Sequence, residues 1–200
     1  MPGRNKLRNW FRGLLDPVVG ILASLGVTPF AVTVTGAILS LFGAVLVATG
    51  SLAWGGVVLI VSGICDTLDG SLARRENKVT SFGAFIDSTI DRVTEIAYLG
   101  ALVFYFIGQG SDYRIVVFFV LLALAGSFLT SYTRARAEGL GVECKVGWLE
   151  RPERVTLLVL GLLFGRIILI IVILALAVLT IYTFIQRVLH VRRLTLGRNP

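Results

Sequence analysis

Long apolar runs, repeated along the whole chain, limit its fold more than any other feature. Six stretches, 30–50, 53–73, 82–107, 114–137, 154–164 with its flanks, and 167–189, are almost wholly apolar. A bilayer core takes about 20 helical residues to cross. Backbone groups inside lipid must be satisfied within the spanning structure, so each run is expected to be a helix. The chain therefore reads as an all-α integral membrane protein with six transmembrane helices. In 200 residues those spans leave room for one membrane domain only, covering 1–200, with 30–190 as a six-helix bundle. At 56% hydrophobic and 16% charged, the chain lies outside the range of soluble domains, where the shares are about one half and one quarter. A water-soluble protein is excluded.

The segment 1–25 differs in kind. Arg4, Lys6, Arg8 and Arg12 alternate with Leu7, Trp10, Phe11, Leu14, Leu15, Val18, Val19 and Leu22. That pattern predicts an amphipathic helix lying in the interface, with its cations toward headgroups and Trp10 as an anchor. Asp16-Pro17 predicts a break or kink inside it. No apolar core followed by a small-residue cleavage site marks a signal peptide.

The net charge of +7 would suit nucleic acid in a soluble chain, but in one this apolar it suits anionic lipid. No nucleic-acid partner is expected. Of the 19 Lys and Arg, only Arg114 and Arg166 lie in the connections after the first, third and fifth spans. The positive-inside rule then places both termini in the cytoplasm of a multi-pass plasma-membrane protein. Cys65 and Cys144 are far apart in sequence, and neither a disulfide nor a metal framework is expected from them. Gly161 and Gly165 have the small-xxx-small spacing that lets helices approach closely, and Gly165-Arg166 forms the turn between the last two spans.

Against this background the segment CDTLDGSLARRENKVTSFGAFIDSTIDR stands out. Asp66, Asp69, Asp87 and Asp91 lie in otherwise apolar helices, where an ionisable group is expensive and marks function. Spacings of three and four residues put each pair on one helix face. The polar link from Arg74 to Ser81 folds the two helices antiparallel and brings both pairs to the cytoplasmic end. Four facing carboxylates repel unless cations separate them. Hard oxygen donors at this density suit two Mg²⁺ ions, or Mn²⁺, and such a site suits a diphosphate substrate. Gly70 and Gly83 leave the backbone approachable, and Arg74 can meet a phosphate. Glu95, one turn beyond Asp91, is expected to bond Arg92 or Thr94. The bland reading, that Arg74, Arg75 and Arg92 merely pair with the aspartates, does not account for the two spacings.

The eight positions Asp66-x2-Asp69-Gly70-x2-Ala73-Arg74-x8-Gly83-x3-Asp87-x3-Asp91 resemble the signature of the CDP-alcohol phosphatidyltransferase family. The resemblance implies metal-dependent transfer of a phosphatidyl group from a CDP-linked lipid to an alcohol, with release of CMP. It implies Asp66, Asp69, Asp87 and Asp91 as metal ligands, with Asp91 also the catalytic base for the acceptor hydroxyl. Asp66, Asp69, Gly70, Ala73, Arg74, Gly83 and Thr33 are implied in binding the nucleotide of the CDP-lipid. A homodimer is implied as well. Relatives often carry Pro-Asn or Pro-Asp ahead of that threonine, whereas this chain has Pro29-Phe30 before Thr33.

Arg134, Arg136, Arg151, Arg154 and Arg187 lie at the cytoplasmic ends of the last three spans. Guanidinium groups gathered beside a metal site suit an anionic acceptor. The runs RARAE and ERPER, with Gln186-Arg187, resemble family members that use inositol 1-phosphate, with diacylglycerol or archaeol lipids. By that resemblance Arg134, Arg154 and Arg187 bind the acceptor phosphate, with Arg136 and Arg151 beside them. The expected substrates are CDP-diacylglycerol or CDP-archaeol and inositol 1-phosphate, with glycerol 3-phosphate as the alternative acceptor. A membrane prenyltransferase also pairs Asp-rich helices with Mg²⁺, but its two motifs usually lie far apart in sequence. A cation transporter would place carboxylates at the midplane rather than at one end.

Overall fold

A computed structural model describes residues 15–196. Among these residues the chain is helical, with no strand. The helices are α1 (Leu15–Ser24), α2 (Pro29–Ala48), α3 (Leu52–Arg75), α4 (Ser81–Gly108), α5 (Arg114–Gly139), α6 (Arg151–Leu163) and α7 (Arg166–Leu196), with a 3-10 turn at Ser111–Tyr113 before α5.

Local signals in the sequence set the helix ends. At the start of α2, Thr28 Oγ1 accepts a hydrogen bond from the Ala31 amide at 3.2 Å, and Pro29 fills the first position, where no amide is needed. Thr80 caps α4 likewise, accepting from the Gly83 amide at 3.0 Å. At the end of α3, Asn77 takes a left-handed φ of 54°, and the Lys78 amide donates back to the Ala73 carbonyl at 2.9 Å. This is the usual way to close a helix before a sharp reversal. The α3–α4 reversal is therefore tight, as its polar sequence predicts.

Among the described residues four helices are long and apolar enough to cross a membrane: α2, α3, α5 with its preceding turn, and α7. Helix α4 is long, but Asp87, Asp91, Arg92 and Glu95 all lie between its start and its middle turn. Helix α6 has 13 residues, about 20 Å at 1.5 Å per residue, less than a bilayer core. The predicted interfacial segment 1–25 lies mostly outside the described residues. Its described part is a helix running through Asp16-Pro17 to Ser24 without the expected break. Proline's fixed φ near −65° is itself helical, so Pro17 does not by itself end the helix.

The chain divides into two compact units, one holding the residues up to Phe42 with Val58–Thr94, the other Gly43–Val57 with Glu95 onward. In the first, Val19 of α1 packs with Val32 of α2 and with Leu68 and Leu72 of α3. Ser62 donates to the Gly36 carbonyl at 2.9 Å, and Ser40 and Thr94 hydroxyls meet at 3.0 Å, so α2 is tied to both α3 and α4 by buried polar contacts.

In the second unit, Ala123 of α5 packs with Val172, Leu176 and Ala177 of α7. The approach is close: a Cβ on Gly126 would lie 2.2 Å from Thr180 Oγ1, and Thr130 donates to the Thr180 carbonyl at 3.0 Å. At the α6–α7 turn, Arg166 donates to the hydroxyls of Tyr105 at 3.1 Å and Tyr113 at 3.2 Å. Replacing Gly126 with valine should lower unfolding stability by about 1–3 kcal/mol through overpacking. Gly100→Ala, where a Cβ meets nothing within 4 Å, should be neutral or slightly stabilising; thermal unfolding in detergent compares the two.

Candidate metal and nucleotide site

Helices α3 and α4 carry the four aspartates, and the tight reversal between them sets their register. Carboxylate oxygens of Asp66, Asp87 and Asp91 lie within 4.8 Å of one another. Asp66 and Asp87 are partly buried and Asp91 is buried. Oxygens at this separation, on three side chains from two helices, could ligate one divalent cation between them. The donor set, all oxygen, suits a hard cation.

Asp69, buried as well, is not part of that triplet. Its Oδ2 accepts a hydrogen bond from Thr33 Oγ1 of α2 at 2.5 Å. Thr33 thus reaches the site through a carboxylate, a contact that its place in the sequence did not reveal. Arg92 lies 3.7 Å from Asp91 Oδ2 but directs its Nη1 to the Ser88 carbonyl at 2.6 Å. The bland ion pairing considered for the aspartates is present there in a weak form.

A cavity of about 660 Å³ opens beside the carboxylates. Thr33, Asp66, Asp69, Gly70, Ala73, Arg74 and Gly83 all line it, together with Asp87. The structure thus gathers the seven residues of the nucleotide set around one space. Arg74 folds back over Gly70, whose missing Cβ would sit 3.4 Å from the guanidinium, and donates to Ser71 Oγ at 3.2 Å. Phe30 also lines this cavity, as do Lys78 and Phe82. No motif marks these last two; the charge of Lys78 in the α3–α4 link was the sole hint.

The arginines belong to the second unit. Arg154 and Arg187 are buried, and Arg134 and Arg154 both lie within electrostatic reach of Arg187. Arg187 donates from Nε to the Val146 carbonyl at 2.9 Å and from Nη1 to the Thr130 carbonyl at 2.6 Å. Arg154 forms a two-pronged pair with Glu95, Nε to Oε1 at 2.6 Å and Nη2 to Oε2 at 3.0 Å. This corrects the expectation for Glu95: its partner is neither Arg92 nor Thr94, whose hydroxyl meets Ser40. Arg136 is exposed and Arg151 half-buried at the start of α6. In the exposed part of the α5–α6 loop, the Lys145 ammonium hydrogen-bonds Glu143 and holds its carboxyl below the usual range.

The model of the family described as CDP-alcohol phosphatidyltransferase matches residues 26–191. The chain belongs to that family of membrane enzymes. Among curated proteins it is similar to archaetidylinositol phosphate synthase of Methanothermobacter thermautotrophicus, 37% identical over 192 residues, covering 94% of this chain and 93% of the relative. Among solved structures it is similar to Mycobacterium tuberculosis phosphatidylinositol phosphate synthase with CDP-DAG bound. Identity is 33% and the TM-score 0.80, with 88% of this chain and 92% of that chain covered. A second structure of that synthase, in complex with manganese and citrate, gives a TM-score of 0.82 at 33% identity, covering 88% and 87%.

A carboxylate triplet that binds a cation couples binding to stability. After chelation, added Mn²⁺ or Mg²⁺ should raise the melting temperature, with about 2.7 kcal/mol gained at 100 times the dissociation constant. Asp66→Asn and Asp87→Asn should reduce that shift, and an unchanged shift in both would remove them as ligands.

Proposed function

We propose that this chain transfers a phosphatidyl or archaetidyl group from a CDP-linked lipid to a hydroxyl of inositol 1-phosphate, releasing CMP. The observation that carries the reading is the convergence of Asp66, Asp87 and Asp91 within 4.8 Å, beside a cavity lined by the rest of the family signature. The names of the relatives, inositol phosphate synthases with either lipid backbone, support the acceptor. Residues 1–200 form one domain of this type.

In this reading Asp66, Asp69, Asp87 and Asp91 hold two Mg²⁺ ions, or Mn²⁺, with Thr33 fixing the rotamer of Asp69. Bound there, the ions would neutralise charge on the diphosphate and on departing CMP. Gly70, Ala73 and Gly83 leave space for the cytidine diphosphate, and Arg74 meets its phosphates. Asp91, buried on α4, takes the proton of the acceptor hydroxyl. The hydroxyl oxygen then bonds to the phosphorus that carries the lipid, and the bond from that phosphorus to CMP breaks, its electron pair leaving with CMP. Arg134, Arg154 and Arg187, with Arg136 and Arg151 beside them, bind the phosphate of inositol 1-phosphate.

The six apolar runs support six spans, with α4 and the short α6 completed by their flanks, and an interfacial helix at the N-terminus. The distribution of Lys and Arg supports cytoplasmic termini and a cytoplasmic site in the plasma membrane. Family resemblance supports a homodimer.

Release of CMP from CDP-diacylglycerol, with inositol 1-phosphate, glycerol 3-phosphate, serine and free inositol in competition, tests the reading. Inositol 1-phosphate should dominate, and preference for an uncharged alcohol would overturn the arginine assignment. Asp91→Asn should lower kcat by about 10²–10⁴, whereas full activity in that variant would remove the base.

A further inference from the structure

Three arginines of one sign, two of them buried, lie close together in the second unit, and each has its Nε already committed. Arg154 Nε donates to Glu95 at 2.6 Å, Arg187 Nε to the Val146 carbonyl at 2.9 Å, and Arg134 Nε to Glu138 Oε1 at 2.9 Å. A guanidinium has five N–H donors in a fixed plane. Fixing the Nε edge orients the plane and leaves further Nη hydrogens for another acceptor. For Arg154 the restraint is stiffest: the second carboxylate oxygen of Glu95 takes Nη2 at 3.0 Å, and the Leu149 carbonyl takes Nη1 at 3.3 Å.

The 146–149 loop is built around this arrangement. Its carbonyls serve both buried arginines, and the Leu149 amide donates to Thr183 Oγ1 of α7 at 3.3 Å. Between them Gly147 adopts φ 125°, and a Cβ there would lie 2.5 Å from Thr183 Cγ2 and 3.4 Å from Arg187 Nε. Only glycine fits both the backbone and the space. Loop and carboxylate together hold the guanidiniums before any ligand arrives, which is the condition for tight recognition of an anion.

We propose that Glu95 is the positioning residue for acceptor recognition. It locks Arg154 by a two-pronged ion pair and offsets one positive charge, so that the arginines can lie together without a bound anion. Glu138 does the same, more weakly, for Arg134 at the exposed end of α5. The inference rests on the reading that these arginines bind the acceptor phosphate.

Steady-state kinetics on the full chain in nanodiscs, with CDP-diacylglycerol and inositol 1-phosphate varied separately, test it. Glu95→Gln keeps the shape but halves the pairing, and should raise KM for inositol 1-phosphate about tenfold or more. Its kcat and its KM for CDP-diacylglycerol should stay within about threefold, and Glu95→Asp should recover part of the loss. A general structural role would instead lower kcat and raise both KM values together, and that result, or an unchanged acceptor KM, overturns the proposal. If Glu95→Gln does not fold, Glu138→Gln decides: a rise of about two- to fivefold in acceptor KM alone supports the proposal, and no rise overturns it. Wild-type protein that shows no saturation with inositol 1-phosphate would refute the assigned acceptor instead, so the two failures are distinguishable.

Discussion

Like charge held at close range inside an apolar helix pair is the constraint on which the rest depends. Oxygens of three aspartates lie within 4.8 Å of one another. At an effective dielectric of 20, each ionised pair at such a separation repels by about 3 kcal/mol or more. A cation bound between them would reverse the sign of that energy and so separate the apo from the metal-bound state. The scaffold must hold the carboxylates in place through both states. The tight α3–α4 reversal, closed by Asn77 and capped by Thr80, does this locally. The Ser62–Gly36 and Ser40–Thr94 hydrogen bonds do it through α2.

A second charge problem is solved differently. Arg154 and Arg187 are buried, and the protein answers them with its own acceptors: Glu95 for one and backbone carbonyls for the other. Buried ion pairs add little net stability over apolar packing, although breaking one is costly. Their use here is better understood as orientation. The acidic cluster calls for an added cation, whereas the arginines are held in readiness by built-in partners. This matches the different ligands that the two groups are proposed to meet.

Much of this was legible in the sequence. The aspartate spacings of three and four gave the shared faces, and the polar link from Arg74 to Ser81 and the Gly165-Arg166 turn gave helix boundaries close to those observed. All the signature residues but Asp91 line one cavity because they lie on two helices joined by a short link. Other features depend on contacts distant along the chain. Asp69 bonds Thr33, 36 residues away, and Glu95 bonds Arg154, 59 residues away. Local reasoning paired Glu95 with Arg92 or Thr94 because it sees only near neighbours on one helix. The carbonyls of Val146 and Leu149 are invisible to any side-chain motif. Proline in α1 misled for a different reason, since its fixed φ near −65° is itself helical and the described helix runs through it.

The central claim is that the α3–α4 aspartates form a site for divalent cations. Anomalous diffraction from crystals grown with Mn²⁺ tests it most directly. The account predicts a manganese peak within coordination distance of carboxylate oxygens of Asp66, Asp87 and Asp91, lost in Asp66→Asn. A well-ordered site with no manganese among these residues, or manganese bound elsewhere in the protein alone, would contradict it.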